Sequence, residues 1–193
     1  QQSLLAELGR ALALHHAPRA GPRTVEVSAA LFASLAWNRA WLEEQQLAAP
    51  AAQEAATLGA DVLLLQLRRA AGGVLVSSGQ AEALDRAYAL ADDPARARPD
   101  VEPLLAGVGV LRAQSAAFAL ARHLEVQCGA KWWSSPSAAG LLRAFWKSGE
   151  LPEPVRAYGA SGESLLAALG APTHGGVGGV SPSAGSAADP PAP

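Results

Sequence analysis

Three features of the sequence predict an all-α fold: an irregular bundle of six to seven helices ending in a Gly/Ser/Ala/Pro-rich C-terminal tail. Alanine supplies much of the apolar half of the composition, and it is the best helix former because it loses no side-chain entropy and crowds no neighbouring turn. Isoleucine is absent and threonine scarce, which removes two of the three β-branched residues that favour strands. Leucines recur at three- and four-residue spacings between stops made of glycine and proline, the pattern of helices with a face on a core. A chain of 193 residues fits a single domain of ordinary size. The expected division is a helical body over 1–171 and an extended or flexible tail over 172–193.

The first helix is expected over Ser3–His15, "SLLAELGRALALH". Ser3 would be its N-cap, Gly9 its weak point, and Leu4, Leu5, Leu8 and Leu12 one core-facing stripe. Pro18 and Pro22 enforce a loop. A second helix is expected from about Ser28 to Ala48, with Val27, Leu31, Leu35, Asn38, Trp41 and Leu42 on one side. Pro50 suits the first turn of a third helix, which runs to Ala71 and stops at Gly72–Gly73. Its centre, "DVLLLQL", is apolar nearly all round and suits a helix packed on several faces. "VLVSSG" then reads as a short segment compatible with extended backbone, and Ser78 as the cap of a fourth helix to about Ala91.

"DDPARARPD" is a loop, and Asp100 can cap a fifth helix that reaches Gln127. Continuous, that helix would span about 40 Å, although Gly107 and Gly109 weaken its first half. The sixth begins at Ser135–Pro136, runs to Lys147 and closes at Gly149. "LPEPVRAYG" adds a turn and "SGESLLAALG" a last short helix. The likeness of "SLLAELG" (Ser3–Gly9) to "SLLAALG" (Ser164–Gly170) has no fixed-period continuation, so it does not mark a solenoid.

Charge and composition narrow the function classes. Fifteen basic and 17 acidic residues leave a net charge of −2, without the basic excess of a phosphate-binding surface, so no nucleic acid is expected. The longest apolar run, Pro103–Leu111, is far short of the roughly 20 residues of a membrane span; peripheral membrane association stays open. The chain opens at Gln1 without methionine, which fits processing or trimming. No secretory or transit signature opens it, and a processed organellar or a cytoplasmic location fits equally.

Catalytic motifs are not found. The single cysteine permits no internal disulfide and no multi-cysteine metal site. Cys128 has His123 and Lys131 nearby, yet it falls at a helix C-terminus, where the dipole opposes a thiolate. His15 and His16 are adjacent and diverge on a helix, so they make a poor metal pair. Glu43–Glu44 and Asp92–Asp93 read as solvation and capping. Asn38 and Asp61 lie within or beside apolar stripes, so each needs an internal partner such as Arg112 or Ser115, or sits on a face that is not fully buried. "GGVGGV" lacks the Lys-Ser/Thr of a phosphate loop, and no G-x-S-x-G elbow occurs. No catalytic residue, metal or cofactor is assigned; were there enzyme chemistry, Cys128, His123 and Lys131 would be the residues to test.

The unusual residues are the tryptophans: five, against three phenylalanines and two tyrosines. In "VQCGAKWWSSPS", Trp132 and Trp133 are consecutive, so one can anchor a core while the other stays partly exposed as a contact, a role in which tryptophan is enriched. Lys131, Trp132, Trp133 and Trp37 are therefore the candidate partner-binding residues. The expected function is a non-catalytic helical interaction or structural subunit, docking a protein partner through this corner and the tail. The alternative is a small-molecule or lipid-binding bundle with a cavity bounded by Trp37, Trp41 and Trp146.

Overall fold

The computed structural model describes residues 1–77 and 101–156, and every regular element among them is helical. The order is α1 (Gln2–His16), α2 (Pro22–Ala33), a 3-10 turn (Ser34–Trp37), α3 (Arg39–Glu44), α4 (Ala49–Ser77), α5 (Val101–Cys128), a second 3-10 turn (Trp132–Ser134) and α6 (Pro136–Ser148). The expected all-α bundle is what forms. α1 packs on α2, α2 on α5 and α5 on α4, while α6 closes against α1 and α5. α3 and the first 3-10 turn lie on α4. The expected fourth helix, the loop after it, the last short helix and the tail fall outside the described residues.

The core is built where these helices converge. Val27 and Leu31 of α2, Leu120 and Leu124 of α5, Phe145 and Trp146 of α6, and Trp132 are all buried. Each such side chain contributes about 1.5–3 kcal/mol by leaving water. Between them α5 buries Ala113, Ala116 and Ala117, small residues that let a neighbouring helix approach closely. The abundance of alanine thus serves packing as well as propensity.

Two glycines that look like weak points in the sequence are contact points in the fold. A Cβ on Gly9 would overlap the Ser28 carbonyl, lying 2.9 Å from its carbon, so α1 crosses α2 backbone to backbone. A Cβ on Gly107 would lie 2.9 Å from the Ala70 carbonyl oxygen and 3.3 Å from Val74 Cγ2, so α5 crosses α4 in the same way. That second crossing explains why α4 does not stop at Gly72–Gly73. It continues as helix through "VLVS" to Ser77, because contact with α5 outweighs the roughly 1 kcal/mol cost of an interior glycine. α5 likewise runs unbroken through Gly107 and Gly109.

The expected second helix is interrupted. α2 ends at Ala33, and Asn38 takes extended backbone (φ −79°, ψ 113°) while its side chain accepts the Trp41 N–H at 3.0 Å. Asn38 therefore needs no partner inside a stripe: it is the N-cap of α3. α3 closes with paired bonds from Gln46 N–H to the Glu43 carbonyl (3.0 Å) and from Leu47 N–H to the Leu42 carbonyl (3.1 Å). Gln46 sits there at φ 67°, the left-handed position that such a terminus requires. Replacing Asn38 with alanine is expected to cost about 1 kcal/mol and to lower the melting temperature by about 2–4 °C, measurable by thermal circular dichroism.

The other termini follow or depart from expectation for local reasons. α1 begins at Gln2 with Gln1 at the cap position, so Ser3 lies inside the helix. α6 starts on Pro136 and ends at Gly149, whose φ of 69° and N–H bond to the Phe145 carbonyl make the expected glycine stop. Val155, in the turn after α6, is buried and joins the core. No helix of the described residues is long and apolar enough to cross a membrane.

Candidate interaction surface

The corner between α5 and α6 is shaped by backbone first. α5 ends where Gly129 adopts φ 88° and returns its N–H to the Glu125 carbonyl at 2.8 Å. A 3-10 turn follows, closed by Ser134 N–H to the Lys131 carbonyl (3.1 Å) and Ser135 N–H to the Trp132 carbonyl (3.0 Å). With about three residues per turn, consecutive side chains point some 120° apart. The two indoles consequently meet edge to face, 6.0 Å between centroids at 74°, and only one goes inward.

Trp132 is that one. It is 2% exposed and meets Phe32 of α2 edge to face at 6.3 Å. Trp133 stays half-buried, and its Nε1–H donates to Glu44 Oε2 at 2.9 Å. Lys131 is exposed, its Nζ 3.9 Å from the same carboxylate oxygen. Glu44 is the last residue of α3, so the corner is fastened to α3 through one acceptor. Trp37 is placed elsewhere, its ring lying on α4 where a Cβ at Gly59 would collide with it. Of the four residues singled out in the sequence, Lys131, Trp132 and Trp133 share the corner, and Trp133 and Lys131 present surface there.

The other tryptophans are also engaged. Trp41 is partly buried against the core. Trp146 is buried, donates from Nε1 to Ser28 Oγ at 2.8 Å, and lies parallel to the His16 imidazole at 5.2 Å and 6°. Ser28 Oγ in turn donates to the Thr24 carbonyl at 2.7 Å, so this buried hydroxyl is satisfied in both directions. His16 and Trp146 form one wall of an open cleft of about 600 Å³, completed by residues 17–21 and 147–149. Of Trp37, Trp41 and Trp146, only Trp146 lines it.

The residues weighed for chemistry are dispersed. Cys128 is half-buried at the end of α5, and Asp61 is exposed on α4, so the face carrying Asp61 is not a buried one. Among the described residues, no three His, Cys, Asp or Glu side chains are grouped to hold a metal ion.

One surface escapes the sequence reading. The single leucine stripe expected on α1 divides in two. Leu5 and Leu12 pack on the core, whereas Leu4 (73% exposed), Leu8 (45%) and the similarly exposed Leu14 face outward with Ala11. At 100° per residue Leu4, Leu8 and Ala11 fall within about 60° of one another, forming a continuous apolar strip. The signal was present: leucines at 4, 5, 8, 12 and 14 cover more of the circumference than one buried face needs. An Arg10 fork on Glu26, at 3.1 and 3.2 Å, ties the edge of this helix to α2.

No protein-family model, curated protein or solved structure matches this chain.

Proposed function

We propose that this chain is a non-catalytic interaction subunit of a larger protein assembly. The observation that carries the reading is the outer face of α1. A helix that is apolar on both sides belongs in contact on both sides, and Leu4, Leu8 and Leu14 stay exposed, with no described residue burying them. The corner of Lys131 and Trp133 adds a second contact of a different kind, an amphipathic ring beside a charge that suits the polar rim of an interface. The tail over 172–193, poor in core-forming residues, is the third part of the proposed docking surface.

The partner is a protein with a complementary apolar groove, since a strip of leucines on a helix is read by such a groove through spaced anchors. A Leu4→Glu/Leu8→Glu double variant tests this. Both side chains already face water, so its melting temperature should stay within about 2 °C of wild type. Its co-purification with the proteins that accompany the wild-type chain should be lost, and Trp133→Ala should weaken the same capture by about tenfold. Capture at wild-type levels by both variants would refute the reading.

A further inference from the structure

We propose that the outward face of α4 is a self-association surface, on which a second copy of this chain docks its own α4 antiparallel. The observation is a heptad pattern on the side of α4 turned away from the core. Ala51, Ala55, Leu58, Val62, Leu65 and Arg69 follow alternating four- and three-residue spacings, the period of a two-helix seam. None of the six is buried, and Leu58 and Leu65 are 63% and 68% exposed. The opposite side of the helix carries Ala52, Ala56, Leu63 and Leu67, which are buried within the bundle. α4 is thus two-faced, and its outer seam is left unburied by the described residues.

Charge decides which occupant fits and how it lies. One edge of the seam carries Glu54, Asp61 and Arg68 at seven-residue intervals, acidic toward the N-terminus and basic toward the C-terminus. All three are exposed, and Asp61 and Arg68 have no ion-pair partner among the described residues. A two-fold antiparallel pair brings the same edge of each helix together with reversed direction. When Val62 of one copy packs on Leu65 of the other, and Leu58 on the stem of Arg69, Asp61 falls opposite Arg68 of the second copy, twice by symmetry. A parallel pair in register would instead bring opposite edges together and set each Asp61 beside Gln66 of the other copy, leaving Asp61 and Arg68 without a charge partner. The net charge of only −2 adds little repulsion between copies.

The purified full chain tests this without any other protein present, so the outcome is separable from the docking proposed above. Sedimentation equilibrium from about 1 to 200 µM should show a monomer–dimer equilibrium with a dissociation constant on the order of micromolar, as for a small interface. Leu58→Lys/Leu65→Lys should remain monomeric throughout with an unchanged circular dichroism spectrum. Asp61→Lys and Arg68→Glu should each weaken the dimer by about tenfold, and their equimolar mixture should regain wild-type association because the exchanged charges attract. A wild-type chain that stays monomeric at every concentration would overturn the proposal. So would a mixture no more associated than either variant alone.

Discussion

Replacing Trp132 with alanine is expected to destabilise the protein by about 3–5 kcal/mol, the cost of removing a fully buried aromatic side chain. The indole fills the junction of α2, α5 and α6: it is 2% exposed, meets Phe32 edge to face and belongs to the same buried cluster as Leu124 and Leu142. The cavity left behind cannot collapse readily, because the 3-10 turn that carries residue 132 is held by its own backbone bonds. Trp133→Ala removes an indole of the same size one residue later, but this one is half-buried and its polar contact is with an exposed carboxylate. Its expected cost is about 1 kcal/mol. Thermal or urea denaturation should separate the two variants widely, with Trp132→Ala melting about 10 °C below wild type. Equal melting temperatures would show that the corner is not arranged as described.

Gly9→Val should cost about 3 kcal/mol, at the upper end of what overpacking usually does. The clash is with the Ser28 carbonyl, a backbone group in mid-helix that has no rotamer to adopt. Relief requires α1 to lift from α2, and that disturbs a neighbour already committed. Ser28 receives the indole N–H of buried Trp146, so the damage spreads from the helix crossing into the core. Gly140 supplies the control. It is exposed on the outer side of α6, where a Cβ would meet nothing within 4 Å. Gly140→Ala should therefore stabilise by about 0.5–1 kcal/mol through helix propensity and a less flexible unfolded chain. Opposite signs at two helical glycines, measured by chemical denaturation, would support close approach as the reason for Gly9. Equal small changes would not.

Much of the architecture was legible in composition and spacing, since alanine and leucine at helical intervals, without isoleucine, leave little choice but helix. Capping chemistry was partly legible. The stop at Gly149 and the start at Pro136 obey local rules, and the structure follows them. Asn38 obeyed a local rule as well, but the apolar period continues through it, and the cap became clear only once the backbone turned there. Gly72–Gly73 misleads for the opposite reason. Local propensity says stop, and a helix crossing formed with residues more than 30 positions away says continue. No local window contains that contact.

The surface was legible in part. Adjacent tryptophans must diverge in any regular backbone, so one inward and one outward ring follows from sequence. Which ring goes inward depends on how the 3-10 turn meets α2, a tertiary fact. The outer leucines of α1 were visible as residues but were assigned to the core, because a periodic stripe says only that residues share a face. It does not say which face meets the protein. The same ambiguity hid the α4 seam, where Asp61 fitted either an internal partner or a face that is not fully buried, and the second holds: it edges an exposed strip.

The interaction role is tested most directly by light scattering on the chain fractionated from an extract of its native source. A monomer has a mass of 19.6 kDa. The account predicts elution at a mass beyond that of two copies, in a complex from which the Leu4→Glu/Leu8→Glu variant is released. A native mass of one or two copies, unchanged by that variant, would contradict it.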